Sequence, residues 1–228
     1  MPHSQKKCIE GWKRLMPDYT FMCWDESTFD YTQYPASRYG YEAKKYALVS
    51  DVCRYNVLAQ YGGIYLDTDI EIIRPVDSFL SCKAFMGFES RDRVGTAVIG
   101  AEANMPFLQT LLDIYKYRSF RKHDGSPDLK TNVEMITSVF IDNGFKKDGK
   151  KQTVNDVMIY PQSSFYPNTV GMIFKRKPRN SYTIHHYSGS WIEHKAPESE
   201  QIRLIKHYLG GKLRNILGAE RYSKLRGL

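Results

Sequence analysis

The sequence predicts an α/β domain with a helical C-terminal extension. Three observations carry that prediction. Helical and strand-like patterns alternate along most of the 228 residues, as in domains that layer helices on a sheet. A long apolar helical pattern stops at Gly62-Gly63 and runs straight into "YGGIYLDTDI", residues 61 to 70. From about Pro197 onward the pattern becomes helical and basic. The expected units are therefore 1–196, the α/β domain, and 197–228, a basic amphipathic extension.

Taken in order, "SQKKCIEGWKRLMPDY" reads as an amphipathic helix, with Ile9, Trp12 and Leu15 on its apolar side and a stop near Pro17. "TFMCW" reads as a short strand. Residues 41–63 read as one long helix, apolar on nearly every side in its second half and so buried. "GGIYLDTDIEII" follows as a strand. Its unalternated apolar run fits a central parallel position. "KAFMGFE" and "VGTAVIGA" are further strands, and "MPFLQTLLDIYKYRSF" is a helix starting around Pro106. "SPDLKTNVEMITSVFIDNG" is a loop and then a helix closed by Gly144. "VNDVMIYPQSSFYP" and "SYTIHHYSGSW" alternate strand and loop.

Hydrophobic residues make up 42% of the chain, enough for a sizeable core. The net charge of +8 favours anionic partners such as nucleotide phosphates or anionic lipid. Charge alone does not make a nucleic-acid binder, and neither a known module nor a clustered basic face is present, so no nucleic acid is expected. Cys8, Cys23, Cys53 and Cys82 show no CxxC spacing, which suits free thiols in a reducing compartment. No apolar leader opens the chain and no run reaches the roughly 18 apolar residues of a spanning helix. The expectation is a cytoplasmic protein, peripheral at most on the inner face of the plasma membrane.

Asp67 and Asp69 stand one residue apart at the end of an apolar strand. Residues two apart in a strand share a side, so both carboxylates could face one site. Carboxylate oxygens suit hard divalent ions such as Mg²⁺ or Mn²⁺. In open α/β sheets ligands bind beyond the carboxyl ends of strands. Upstream, "SDVCR" sets Asp51 and Arg54 on one helix face, in the most apolar part of the helix. Charged groups are seldom buried unless paired. The two form either a structural ion pair or a cradle for a polar ligand.

The stretch "SDVCRYNVLAQYGGIYLDTDI" resembles the DxD signature of the family 32 glycosyltransferases. That group includes bacterial capsular-polysaccharide and lipopolysaccharide transferases and yeast initiating mannosyltransferases, and the clostridial glucosylating toxins share a related core. "SYTIHHYSGSW", "LKTNVEMITSVF" and "VMIYPQSSFYP" are similar to its later blocks, in the expected order from about Lys6 to Trp191.

The resemblance implies a GT-A fold, a Rossmann-like domain binding a nucleotide-sugar with Mn²⁺ or Mg²⁺, and retaining transfer of a hexose. Bacterial surface polysaccharide is the expected setting. By matched position, Asp51, Arg54, Asp67 and Asp69 are the implied catalytic set. Tyr65, Ser190 and Trp191 join Asp51, Arg54 and Asp67 on the donor, a UDP- or GDP-sugar. Asp67, Asp69 and His186 are the implied metal ligands. The acceptor is a saccharide, free or lipid-linked, with residues 77–130 expected to shape its side.

Two departures stand out. Family members usually open with a strand reading like "IPKIIHYCWFG", whereas here Met1 stands just before the helix that normally follows. A domain without its first strand is the expectation, and it keeps open a catalytically impaired member acting as a binding or scaffold protein. Glu134 replaces a proline common in the bacterial block. Finally, residues 198–228 carry seven Lys or Arg against three Glu, with apolar residues at helical spacing, a pattern suited to an anionic membrane surface or to packing on the domain.

Overall fold

The computed structural model describes residues 1–118, 128, 130–167, 179–188, 209–210, 212 and 221. The expected boundary at residue 196 and nearly all of the basic extension lie outside them. No helix among the described residues is long and apolar enough to cross a membrane.

Helix α1 (His3–Leu15) buries Gln5, Cys8 and Trp12 along one face and ends before Pro17. Helices α2 (Pro35–Glu42) and α3 (Tyr46–Tyr61) replace the single helix expected over 41–63. The break falls at Lys44, which takes a left-handed φ of 56°. Gly40 lets the two helices close on each other, since a Cβ there would stand 2.9 Å from the Leu48 Cβ. Gly62, with φ 66°, ends α3 as the sequence predicts.

The apolar run after Gly62 becomes strand β1 (Gly63–Leu66), but it lies at a sheet edge and pairs antiparallel with its neighbour. The expectation of a central parallel strand is therefore wrong. Nor does the strand continue through the aspartates. The Ile70 amide donates to the Asp67 carbonyl at 2.9 Å, closing a turn, and β2 (Ile70–Ile72) leaves for a second sheet. "TFMCW" forms no strand, and Met22 and Cys23 face outward with no ladder partner.

Strands β3 (Ala84–Ser90) and β4 (Arg93–Ala101) form the hairpin at the centre of the main sheet. Helix α4 (Pro106–Tyr117) and helix α5 (Asn132–Ile141) follow. Thr131 and Glu134 form a reciprocal capping box at the start of α5. That accounts for Glu134 in place of the family's proline, because its carboxylate binds the Thr131 amide at 2.9 Å. Strands β5 (Gln152–Val154) and β6 (Val157–Tyr160), the short helix α6 (Gln162–Phe165) and β7 (Thr183–His185) complete the described fold.

The main sheet runs β1-β4-β3-β6-β5, parallel only between β3 and β6, and β2 pairs with β7 in a two-stranded ribbon. Both faces of the sheet are covered. Met86, Phe88 and Ile99 face the helical side with Tyr55, Leu108 and Ile136. Phe85 and Val98 face Trp12, Ile70, Phe165 and Tyr166 on the ribbon side. Gly100 makes room for that second layer, since a Cβ there would sit 2.0 Å from the Phe85 ring. Gly100→Ala should therefore cost about 1–3 kcal/mol by overpacking, read as a lower urea midpoint.

Candidate functional site

The site begins inside α3. Arg54 is buried, and its guanidinium donates to the Thr96 carbonyl of β4 at 2.8 Å. Its Nη2 stands 3.0 Å from Asp51 and 3.4 Å from Asp67, and the group lies 4.7 Å from the centre of the Tyr65 ring. Burial opposes a charge here, yet Asp67, Tyr65 and Asp51 hold Arg54 protonated. Asp51 responds in the other direction. Burial pushes its carboxyl up to about 6 against the pull of Arg54. Asn132, placed by the capped start of α5, donates to the same Asp51 oxygen.

Strand β1 delivers Tyr65, whose hydroxyl donates to Asp67 Oδ1 at 2.7 Å and meets Ser50 Oγ at 3.1 Å. The turn then presents Asp67, its amide held by the Ala97 carbonyl. Asp69 starts the ribbon. Its Oδ2 accepts from the Ser188 amide and hydroxyl, both at 2.7 Å, and its Oδ1 lies 3.3 Å from His185 Nε2. Burial alone would raise this carboxyl, but His185 and Ser188 hold it below the usual carboxylate range. Tyr187, at φ 47° and with its ring 3.9 Å from that of His185, turns the chain so that Ser188 reaches back.

One ligand atom each from Asp67, Asp69 and His185 lies within 4.8 Å of the others. The α1 helix braces this corner, because the Trp12 indole donates to the Ile70 carbonyl at 2.7 Å. His185 Nδ1 is buried without a hydrogen-bond partner, so the protein alone does not satisfy the ring.

The structure thus brings together Asp51, Arg54, Tyr65, Asp67 and Asp69 as the sequence predicts. It corrects the histidine. Neighbouring residues of an extended chain point to opposite sides, and His185 takes the aspartate side while His186 faces Glu71 at 3.2 Å. Ser190 and Trp191 lie outside the described residues. Sequence reasoning missed His185, Ser188, Ser50 and Asn132. For His185 the signal was present in the "HH" pair, but which ring meets Asp69 depends on the turn at Asp67–Ile70.

A covered mixed sheet with a buried arginine behind an Asp-x-Asp turn is consistent with a GT-A-like α/β domain. Residues 2–86 match the family model described as the glycosyltransferase sugar-binding region containing DXD motif. Over that region, somewhat more than a third of the chain, it is similar to the DXD-containing glycosyltransferases of family 32.

The chain is 37% identical over 109 residues to inositol phosphoceramide mannosyltransferase 3 of Schizosaccharomyces pombe, covering 46% of this chain and 30% of that protein. It is 25% identical over 273 aligned positions to the initiation-specific alpha-1,6-mannosyltransferase of Candida albicans, covering 88% and 70%. It is 27% identical over 157 residues to human alpha-1,4-N-acetylglucosaminyltransferase, covering 68% and 42%. The chain thus spans about a third of the fission-yeast relative's own length. These relatives are fungal and human, not bacterial capsular enzymes. No solved structure gives a significant match.

Proposed function

We propose that the chain is a metal-dependent, retaining glycosyltransferase that moves a hexose from a UDP- or GDP-sugar to a saccharide acceptor. The observation that carries this reading is the convergence of Asp67, Asp69 and His185 beside the buried Arg54. The names of the two fungal relatives make mannose the first hexose to test. The setting is assembly of a surface glycan, with a lipid-linked saccharide as the acceptor.

The donor set fits a divalent ion. Two carboxylates and one imidazole suit Mn²⁺ better than Mg²⁺, which favours oxygen alone. Tyr65 fixes Asp67, and Ser188 fixes Asp69, as outer partners of metal ligands do. A bound ion supplies positive charge against the charge that builds on the leaving diphosphate.

The chain's own groups do the rest. Arg54, itself buried, stands between Asp51 and Asp67 and fixes both carboxylates. Asp51 and Asn132 offer an acceptor and a donor to hydroxyls of the donor sugar. The described carboxylates at the site are each tied to a neighbour, which favours front-face attack with the leaving phosphate accepting the acceptor's proton. Trapping of a covalent sugar–protein adduct by mass spectrometry would count against that step. Ser190 and Trp191 are proposed to close on the diphosphate.

The test is calorimetric titration of UDP and GDP with and without Mn²⁺. One nucleotide should bind only with metal, and Asp69→Ala should abolish that binding. A folded chain that binds neither nucleotide would favour the impaired binding or scaffold protein. Residues 197–228 are proposed to rest on anionic membrane at the cytoplasmic face. Their deletion should abolish flotation with phosphatidylserine vesicles, and unchanged flotation would remove the tail from this reading.

A further inference from the structure

A second concave site lies at the corner where α2 meets α3. It is a groove of about 660 Å³ lined by Tyr31, Arg38, Tyr41, Glu42, Lys44 and Tyr46. The Tyr31 and Tyr41 rings stack with centroids 4.0 Å apart and 16° between planes. Tyr46 meets Tyr41 edge-on at 6.0 Å and stays 60% exposed. Arg38 and Glu42 form an exposed pair at 3.1 Å on the rim.

Tyr31 also packs against the edge of the main core, whereas Tyr46, Arg38, Glu42 and Lys44 stand exposed, and the backbone fixes the corner they line. Asp30 caps the turn at Tyr31, and the Ser37 hydroxyl donates to the Tyr31 carbonyl at 2.6 Å. Lys44 spends a left-handed φ to make the corner, and Gly40 brings α2 against Leu48. A rigid frame that presents exposed rings beside mixed charges has the character of a ligand platform.

We propose that this groove is the acceptor subsite and that it binds a neutral saccharide. Sugar rings offer C–H faces to aromatic rings and hydroxyls that both donate and accept. Tyr46 and Tyr41 match the first, while Arg38, Glu42 and Lys44 match the second. The existing Tyr31–Tyr41 stack leaves no slot between those rings for a planar base, and Glu42 disfavours a polyphosphate. Tyr46 precedes Asp51 by five residues on α3, so the groove lies about 7.5 Å along the helix from the donor residues. That separation is on the scale of one or two sugar rings. The proposed acceptor subsite thus lies on α2 and α3.

This proposal rests on the transferase reading, and the experiment separates the two. The full chain with ring-labelled tyrosine is titrated by NMR with disaccharides of mannose, glucose, galactose and N-acetylglucosamine, and separately with UDP or GDP plus Mn²⁺. At least one disaccharide should shift the rings of Tyr31, Tyr41 and Tyr46. Tyr46→Ala should weaken that binding about fivefold or more, and Tyr46→Trp should restore it, as a stacking role requires. Circular dichroism of Tyr46→Ala should match the parent. The proposal is overturned if no disaccharide moves these rings, or if nucleotide alone moves them. Saccharide binding here without metal-dependent nucleotide binding elsewhere would leave the subsite standing and sink the transferase.

Discussion

Replacing Arg54 by methionine should destabilise the protein by about 3–5 kcal/mol, because it strands buried carboxylates without their cation. That is a large part of the roughly 5–15 kcal/mol that holds a typical domain together. Arg54 is 5% exposed and reaches Asp51, Asp67 and the Thr96 carbonyl at once. Methionine fills similar space but satisfies none of them. The pH dependence identifies the cause. Asp51 is raised from 3.8 to about 6 when folded, so its contribution to stability is fully present below about pH 4 and lost as pH rises through about 6. Removing Arg54 removes the strongest influence lowering that carboxyl. The deficit of Arg54→Met, measured by urea unfolding, should be clearly smaller at pH 5 than at pH 7. Asp69 shifts the opposite way, so its effect lies at more acidic pH, outside this window. The double variant Asp51→Asn/Arg54→Met should recover part of the loss. A deficit under about 1 kcal/mol that ignores pH would mean the guanidinium acts as a solvated surface charge.

What the sequence made legible depended on local signals. Pro17, Pro106 and Gly62 punctuate α1, α4 and α3, and those boundaries follow from backbone chemistry alone. The spacing of Asp51, Arg54, Asp67 and Asp69 carried the site, since one helix face and one short turn suffice to bring them together. The break between α2 and α3 was hidden because Ala43-Lys44-Lys45 contains neither Gly nor Pro, although Lys44 is left-handed and the Lys45 amide closes the turn on the Gly40 carbonyl. "IYLDTDIEII" reads as one strand by composition. Tertiary pairing divides it, sending Ile64 and Tyr65 to β4 and Ile70 and Ile72 to β7. Asn132 is 81 residues from Asp51 in sequence, and only the capped start of α5 brings it there.

The turn that divides this stretch gives the sharpest test of the site. His185→Ala should lower Mn²⁺-dependent nucleotide affinity by more than about 100-fold, beyond the 10–100-fold cost of losing an outer partner of a metal ligand. His186→Ala should leave that affinity unchanged. The reason is the turn at Asp67–Ile70, which swings the Asp69 carboxylate out of the ladder toward His185. His185 pairs with Ile70 across β2 and β7, directly beside Asp69, and its ring turns toward the carboxylates. His186 comes one residue later, and its ring turns away to Glu71. Ser188→Ala, which removes a hydrogen bond to Asp69 Oδ2, should fall between the two at about 10–100-fold. A ligating imidazole must be neutral, so the metal-dependent part of binding should weaken as pH falls, and His185→Ala should flatten that dependence. If His186→Ala abolished binding and His185→Ala spared it, the His186 ring would have to leave Glu71 and turn to Asp69, which already lies opposite it in the ribbon. Retention of the His185 pattern would instead mean that the turn of Asp69 toward His185 selects which histidine serves the site.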